Sequence, residues 1–302
     1  MLAISTAWNH KPNVRMETML DEIKGLGLDA IELGYKLTVS ELEELIPLLE
    51  KKKMRVSSIH NFCPVPNDGP SSRHPSNYYL LSSLEENERR KAVEWTHKTI
   101  DTALRVGSRV VVIHAGTIDW DHDPVSMIKA YKTGQADSKE FARARQEVLT
   151  QRKKNKALFW EAVVKSLDQV VLYGHQKNVK IGLETRYYPT EIPNFEEIGE
   201  LLDRYSPEDM GYWHDVGHGE VNVRLGLVPS HRHYFDCYQK RLIGMHIHGV
   251  VGIKDHQAPF TGDFDLKGIM PYLQDGVIRV IESHPVAGTE EIKEAVRRLR
   301  GH

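Results

Sequence analysis

The chain has 302 residues, 40% hydrophobic and 27% charged, and its 40 Lys and Arg against 42 Asp and Glu leave a net charge of -2. That balance supplies no global basic field, so a nucleic-acid partner is not expected. Cys63 and Cys237 make no C-x-x-C pair, the N-terminus lacks a signal-peptide pattern, and no stretch approaches the roughly 18 apolar residues of a membrane span; a reducing cytoplasm is the expected location and no membrane is involved.

Short apolar runs occupy residues 2–8, 28–34, 54–60, 108–114, 179–185, 209–215, 241–248 and 277–283. Longer stretches of helical period separate them, METMLDEIKGLG after the first run and SELEELIPLLEKKK after the second. Eight strands alternating with helices predict parallel pairing, and eight strands close a (β/α)8 TIM barrel. The competing doubly wound sheet would carry G-x-G-x-x-G after its first strand, and that fingerprint is missing. No linker or repeat divides the chain, which predicts one α/β barrel domain over residues 1–302.

Two connections exceed the length of simple strand-to-helix loops: residues 61–86 after strand three and 115–155 after strand four. Both leave the C-terminal ends of strands, where barrel active sites are built, and are expected to cover a substrate. Phe62, Tyr78, Tyr79 and Trp120 are available for an apolar wall. The charge run SKEFARARQEVLTQRKKNK reads as a solvated helix face.

Histidine is abundant, at 16 copies, and its placement matters more than its number. Strand three ends in His60, strand four in His114, strand five in Glu184, and strand six in Asp215 with His218 just beyond. Strand seven ends in His246 and His248, which alternation puts on one side, and strand eight in Glu282. One such residue would be an ordinary hydrogen-bonded strand end. Six consecutive strands delivering imidazoles and carboxylates to one rim would repel or resist ionisation without a cation. A divalent ion removes that conflict, and the imidazoles favour Mn, Zn or Co over Mg.

These residues resemble the xylose-isomerase-like barrel superfamily, which holds sugar isomerases and epimerases and endonuclease IV. The likeness rests on "IEL" at 31–33, "GLETR" at 182–186, "HDVGH" at 214–218, "HIHG" at 246–249, "DHQAPFTGDFD" at 255–265 and "IESHP" at 281–285. The resemblance implies a metal held by Glu184, Asp215, His248 and Glu282, with a two-residue slip exchanging His248 for His246. It further implies catalytic roles for Glu184, Glu282 and His218, and substrate contacts from His60, His114, Arg186 and His246. In endonuclease IV the positions of His60, His114, His218 and His256 bind additional ions. Asp255 and His256 are adjacent where that nuclease has D-x-H, and Gly249 stands where the family often has Asp, departures that weigh against a three-metal set.

The function implied is a metal-dependent sugar, sugar-phosphate or hydroxy-carbonyl isomerase or epimerase, moving a proton through a metal-stabilised enediolate. The alternatives are an endonuclease IV-like multi-metal phosphodiesterase and a non-catalytic metal-binding scaffold. The expected partner is a small sugar-like molecule, with homo-oligomerisation left open.

Overall fold

A computed structural model describes residues 1–120 and 126–301. Eight parallel strands close a barrel: β1 (Leu2–Ser5), β2 (Ala30–Leu33), β3 (Arg55–His60), β4 (Val110–Ile113), β5 (Lys180–Glu184), β6 (Met210–Asp215), β7 (Leu242–Ile247) and β8 (Ile278–Ile281). Neighbours in sequence are neighbours in the sheet, and β8 returns to pair with β1. All eight expected strands form, generally shorter than the apolar runs that marked them. His114, His248 and Glu282 consequently sit one residue past their strands, at the rim.

The barrel interior is closed by Ala3, Ala30, Val110, Val112, Trp213 and Val280. Trp213 needs room, and Gly244 on the neighbouring strand provides it: a Cβ there would lie 2.1 Å from the indole. This apolar plug confines polar chemistry to the C-terminal end. Helices α1 (Met16–Gly25), α2 (Val39–Lys51) and α3 (Glu86–Arg105) cover the first strands, each burying one apolar stripe.

The second long connection differs from expectation. After α4 (Ser126–Lys132), the charged stretch and the helix preceding β5 are one continuous element, α5 (Lys139–Lys177). Its 39 residues span about 58 Å, at 1.5 Å per residue. Position 155 is therefore no boundary, because nothing in QRKKNKALFW interrupts the backbone ladder. The charge run is largely exposed, as expected, while Phe141, Val148 and Arg152 are buried and Arg152 donates to Pro189 O and to Glu197. Residues 121–125 of this connection lie outside the described residues.

Helices α6 (Phe195–Arg204), α7 (Val216–Arg224), α8 (His231–Tyr238) and α9 (Thr289–Arg300) complete the outer layer. Two small antiparallel ribbons, absent from the sequence reading, decorate the rim: Gly116–Thr117 with Glu191–Ile192, and Gly249–Val251 with Lys254–Gln257. No helix among the described residues is long and apolar enough to cross a membrane.

Candidate functional site

The motif HDVGH is built around a helix start. Asp215 ends β6 and caps α7, accepting the His218 backbone N–H at 2.7 Å. The three-residue spacing of Asp215 and His218 is thus that of a cap and the third residue of the helix. The positive end of α7 favours the Asp215 anion. Between them, Gly217 lets the turn lie against His248, whose ring would be 2.1 Å from a Cβ at that position.

Asp215 lies level with His246 on β7. His246 Nδ1 faces three carboxylates: Glu282 Oε2 at 3.1 Å, Glu184 Oε1 at 3.2 Å and Asp215 Oδ2 at 3.6 Å. Its other nitrogen, Nε2, lies 3.1 Å from Glu32 Oε1. Glu32, from the "IEL" of β2, is fully buried and also accepts from the Ser58 hydroxyl at 2.8 Å. An Nε2–H shared with a carboxylate leaves the Nδ1 lone pair for the ring of carboxylates, the arrangement usual for a metal-ligating histidine.

His248 has the same Nε2–H tautomer, but its other nitrogen is already occupied. Its Nδ1 accepts the His256 backbone N–H at 3.0 Å, so its proton sits on Nε2 and points to Asp215 Oδ1 at 3.1 Å. The geometry makes His246 the imidazole of the Glu184–Asp215–Glu282 ring and His248 a donor that orients Asp215. The implied ligand set with His248 therefore differs from the arrangement seen, which has His246 in its place.

Four further imidazoles follow the pattern of His246. His60 Nδ1 lies 2.9 Å from Asn61 O, and Nε2 faces Glu184 Oε2 at 3.4 Å. His114 Nδ1 meets Asn77 Oδ1 at 3.1 Å, and Nε2 lies 2.9 Å from Glu184 Oε2. His218 Nδ1 donates to Thr185 O at 2.9 Å, leaving Nε2 3.6 Å from Asp255 Oδ2. His256 Nδ1 donates to Glu282 O at 2.9 Å, with Nε2 3.8 Å from the same Asp255 oxygen.

The ligand atoms fall into three groups that meet metal-site spacing: Glu184, Asp215, His246 and Glu282; His60, His114 and Glu184; and His218, Asp255 and His256. Adjacency of Asp255 and His256 does not separate them. A strand would turn neighbouring side chains to opposite faces, but His256 takes a left-handed φ of 53° and both side chains line the cavity. Such a backbone costs about 1–3 kcal/mol at a non-glycine residue.

Electrostatics show what the central ring lacks. Burial, reinforced by Glu32, Glu184 and Asp215, pushes the Glu282 carboxyl well above its usual range. Burial alone would lower His246, but Glu282 and Glu32 raise it well above the ordinary imidazole value. Against burial, His114 and Arg186 hold Glu184 well below the carboxylate range, and His218 and His248 do the same for Asp215. Glu282 and His246 hold on to protons among three converging carboxylates, and a donor set of three carboxylates and one imidazole suits a divalent cation. At the periphery, burial and the Arg186 charge lower His114 to about 3, and burial keeps His256 neutral.

Arg186 is buried and already paired, with Nη1 3.0 Å from Glu184 Oε2 and Nη2 2.5 Å from Glu191 Oε1. It lines the cavity, but its fork faces the protein's own carboxylates. The cavity above the cluster measures about 640 Å³. Phe62 and Tyr79 are instead local core, and the aromatic walls are Tyr35, Tyr187 and Tyr188. Sequence reading passed over Glu32, Tyr35, His74 and His284, and met Asp255 only as a departure from the nuclease spacing beside His256. Only Glu32 carried a signal, as an acidic residue in the middle of a buried strand.

Residues 20–302 match the family described as xylose isomerase-like TIM barrel. The uncharacterized protein y4fM of Sinorhizobium fredii is 26% identical over 183 residues, 60% of this chain and 48% of that protein, so the match spans about half of the relative's length. Among solved structures, D-psicose 3-epimerase from Clostridium cellulolyticum H10 superposes with a TM-score of 0.69 at 13% identity, covering 99% of this chain and 98% of that one. A family 2 AP endonuclease from Brucella melitensis superposes with a TM-score of 0.67 at 11% identity, over 100% and 98% of the two chains. The closed barrel and the match over nearly its whole length agree: the chain belongs to the xylose isomerase-like TIM barrel family.

Proposed function

We propose that the protein is a divalent-metal-dependent isomerase or epimerase of a small polyhydroxy carbonyl compound. The observation that carries this reading is the buried ring of Glu184, Asp215, His246 and Glu282 at the floor of a sugar-sized cavity. Those four residues would hold the ion, with His248 and Glu32 orienting Asp215 and His246. When bound, the ion supplies Lewis acidity that favours charge on a substrate oxygen and keeps the carboxylates ionised.

Glu184 and Glu282 enter from β5 and β8, with β6 and β7 between them. From those two sides one removes the proton alpha to the carbonyl and the other returns it. His218, fixed by Thr185 O, presents Nε2 to a substrate hydroxyl. Arg186 keeps Glu184 ionised and aligned. Turnover of a panel of ketoses and aldoses in deuterated water tests the reading. One deuteron should enter the substrate carbon, and product formed without carbon exchange sinks proton transfer.

One observation favours a second reading, a multi-metal phosphodiesterase. The His60–His114–Glu184 and His218–Asp255–His256 groups each offer three ligand atoms beside the central ring. Together with the ring they would seat up to three ions that activate water and clamp a phosphodiester. Metal analysis separates the two: one ion per chain supports the isomerase, and two or three with phosphodiester hydrolysis support the alternative.

A further inference from the structure

The floor of the cavity is acidic and every carboxylate there has a partner. Its mouth has the opposite character. On the wall formed by the ends of β2, β3 and β8 stand Tyr35, His74 and His284, with Lys36 next to Tyr35 in the chain. Tyr35 is 7% exposed, lines the cavity, and has no hydrogen-bond partner for its phenol among the described residues. Its ring packs edge-on against His60 at 5.1 Å and His74 at 5.0 Å, linking the metal floor to the mouth. The Lys36 ammonium lies 5.8 Å from the centroid of the Tyr35 ring, the same ring that packs against His74. It has no ion-pair partner among the described residues.

His74 is held by Ser76 through Nδ1 at 2.9 Å, which leaves Nε2 available. His284 stacks on His256 at 4.1 Å. Lys254 and Lys132 line the same cavity, also without an ion pair among the described residues. Lys36, His74 and His284 make no ion pair with a carboxylate among the described residues, and a cation beside imidazoles and a partnerless phenol matches an oxyanion.

We infer that Lys36, His74 and His284, with the Tyr35 hydroxyl, form an anion-binding subsite that takes the charged end of the substrate, a phosphate ester or a carboxylate. The subsite rests on the proposed function for its setting, because it places the reacting carbons of that substrate over the metal ring. It narrows the substrate class from polyhydroxy carbonyl compounds in general to those carrying an anionic terminus.

Calorimetric titration of inorganic phosphate, and in parallel acetate, into the metal-containing protein tests this without turnover, so it stands or falls separately from proton transfer. Saturable binding of either anion is expected, and the one that binds more tightly identifies the terminal group. Lys36→Gln and His74→Gln should each weaken binding about 10-fold, the loss of one charge-assisted contact, with metal content unchanged. Lys36→Arg should restore it. Absence of saturable binding by both anions overturns the inference. So does binding that ignores Lys36 and His74 but disappears with the metal in Glu282→Gln, since the anion would then sit on the ion.

Discussion

One strand, β6, supplies polar side chains to two regions that differ in outcome: Asp215 to the cavity, and Tyr212 and His214 to the outer layer. Toward the cavity, Asp215 meets His246, His248 and His218. Toward the outer layer, His214 Nδ1 accepts from the Tyr212 hydroxyl at 2.6 Å, and that hydroxyl lies 2.8 Å from Thr185 Oγ1. His231 stands beside His214, with ring centroids 5.3 Å apart, and its Nδ1 is 3.1 Å from Glu220. In this outer patch the Nε2 atoms of His214 and His231 have no hydrogen-bond partner among the described residues, and His214 is packed by Phe235 and Tyr234. The cavity aims free nitrogens at shared carboxylates; the patch buries them against rings. Convergence of lone pairs, not the count of histidines, distinguishes a candidate site from a polar seam in a core.

The largest effects should come from the cavity. Glu184→Gln, Asp215→Asn and Glu282→Gln are each expected to lose metal and to lower turnover on the order of 10³-fold or more. A chelator should lower the melting temperature of the parent protein, since an ion at 1,000 times its Kd stabilises by about 4 kcal/mol. His214→Asn, which preserves an acceptor for Tyr212, should cost about 1–3 kcal/mol of stability and leave metal content intact. Metal loss in His214→Asn would erase the contrast between the two regions. A finer cut lies within β7: His246→Ala should empty the central position, whereas His248→Gln should weaken metal affinity only about 10–100-fold by loosening Asp215. The reverse order would return the ligand role to His248.

Strand-end chemistry was legible because alternation and strand length place Glu184, Asp215, His218 and Glu282 at the rim from sequence alone. The choice between His246 and His248 was not. It depends on which nitrogen each ring has free, and that is set by Glu32, 214 positions away, and by the His256 backbone N–H. The pairing of Asp255 with His256 was hidden for a related reason, since a single left-handed residue undoes the alternation on which such readings rest. Continuity of α5 escaped because its amphipathic half and its solvated half carry different patterns on one uninterrupted backbone. The mouth subsite draws Lys36, His74 and His284 from three connections with no common motif, so only the folded chain brings them together.

The smallest effect concerns pH and belongs to the outer patch. Burial, with the His231 charge next in size, lowers His214 well below its ordinary value of 6.5. The unfolded chain therefore takes up a proton at this position as pH falls through 6.5, while the folded protein resists it. Stability rises with pH wherever the unfolded state binds more protons, so this group destabilises the fold on acidification. The limiting slope is about 1.4 kcal/mol per pH unit for one proton. His246 and His248 are raised and act with the opposite sign without metal, so the sum over all histidines is not the useful quantity. The difference between parent and His214→Asn isolates one term. Urea melts of the metal-loaded proteins between pH 7 and pH 5 should show the parent losing stability faster than the variant. Parallel curves would mean that His214 is protonated in the folded state, and that the outer patch holds a charge as the cavity does.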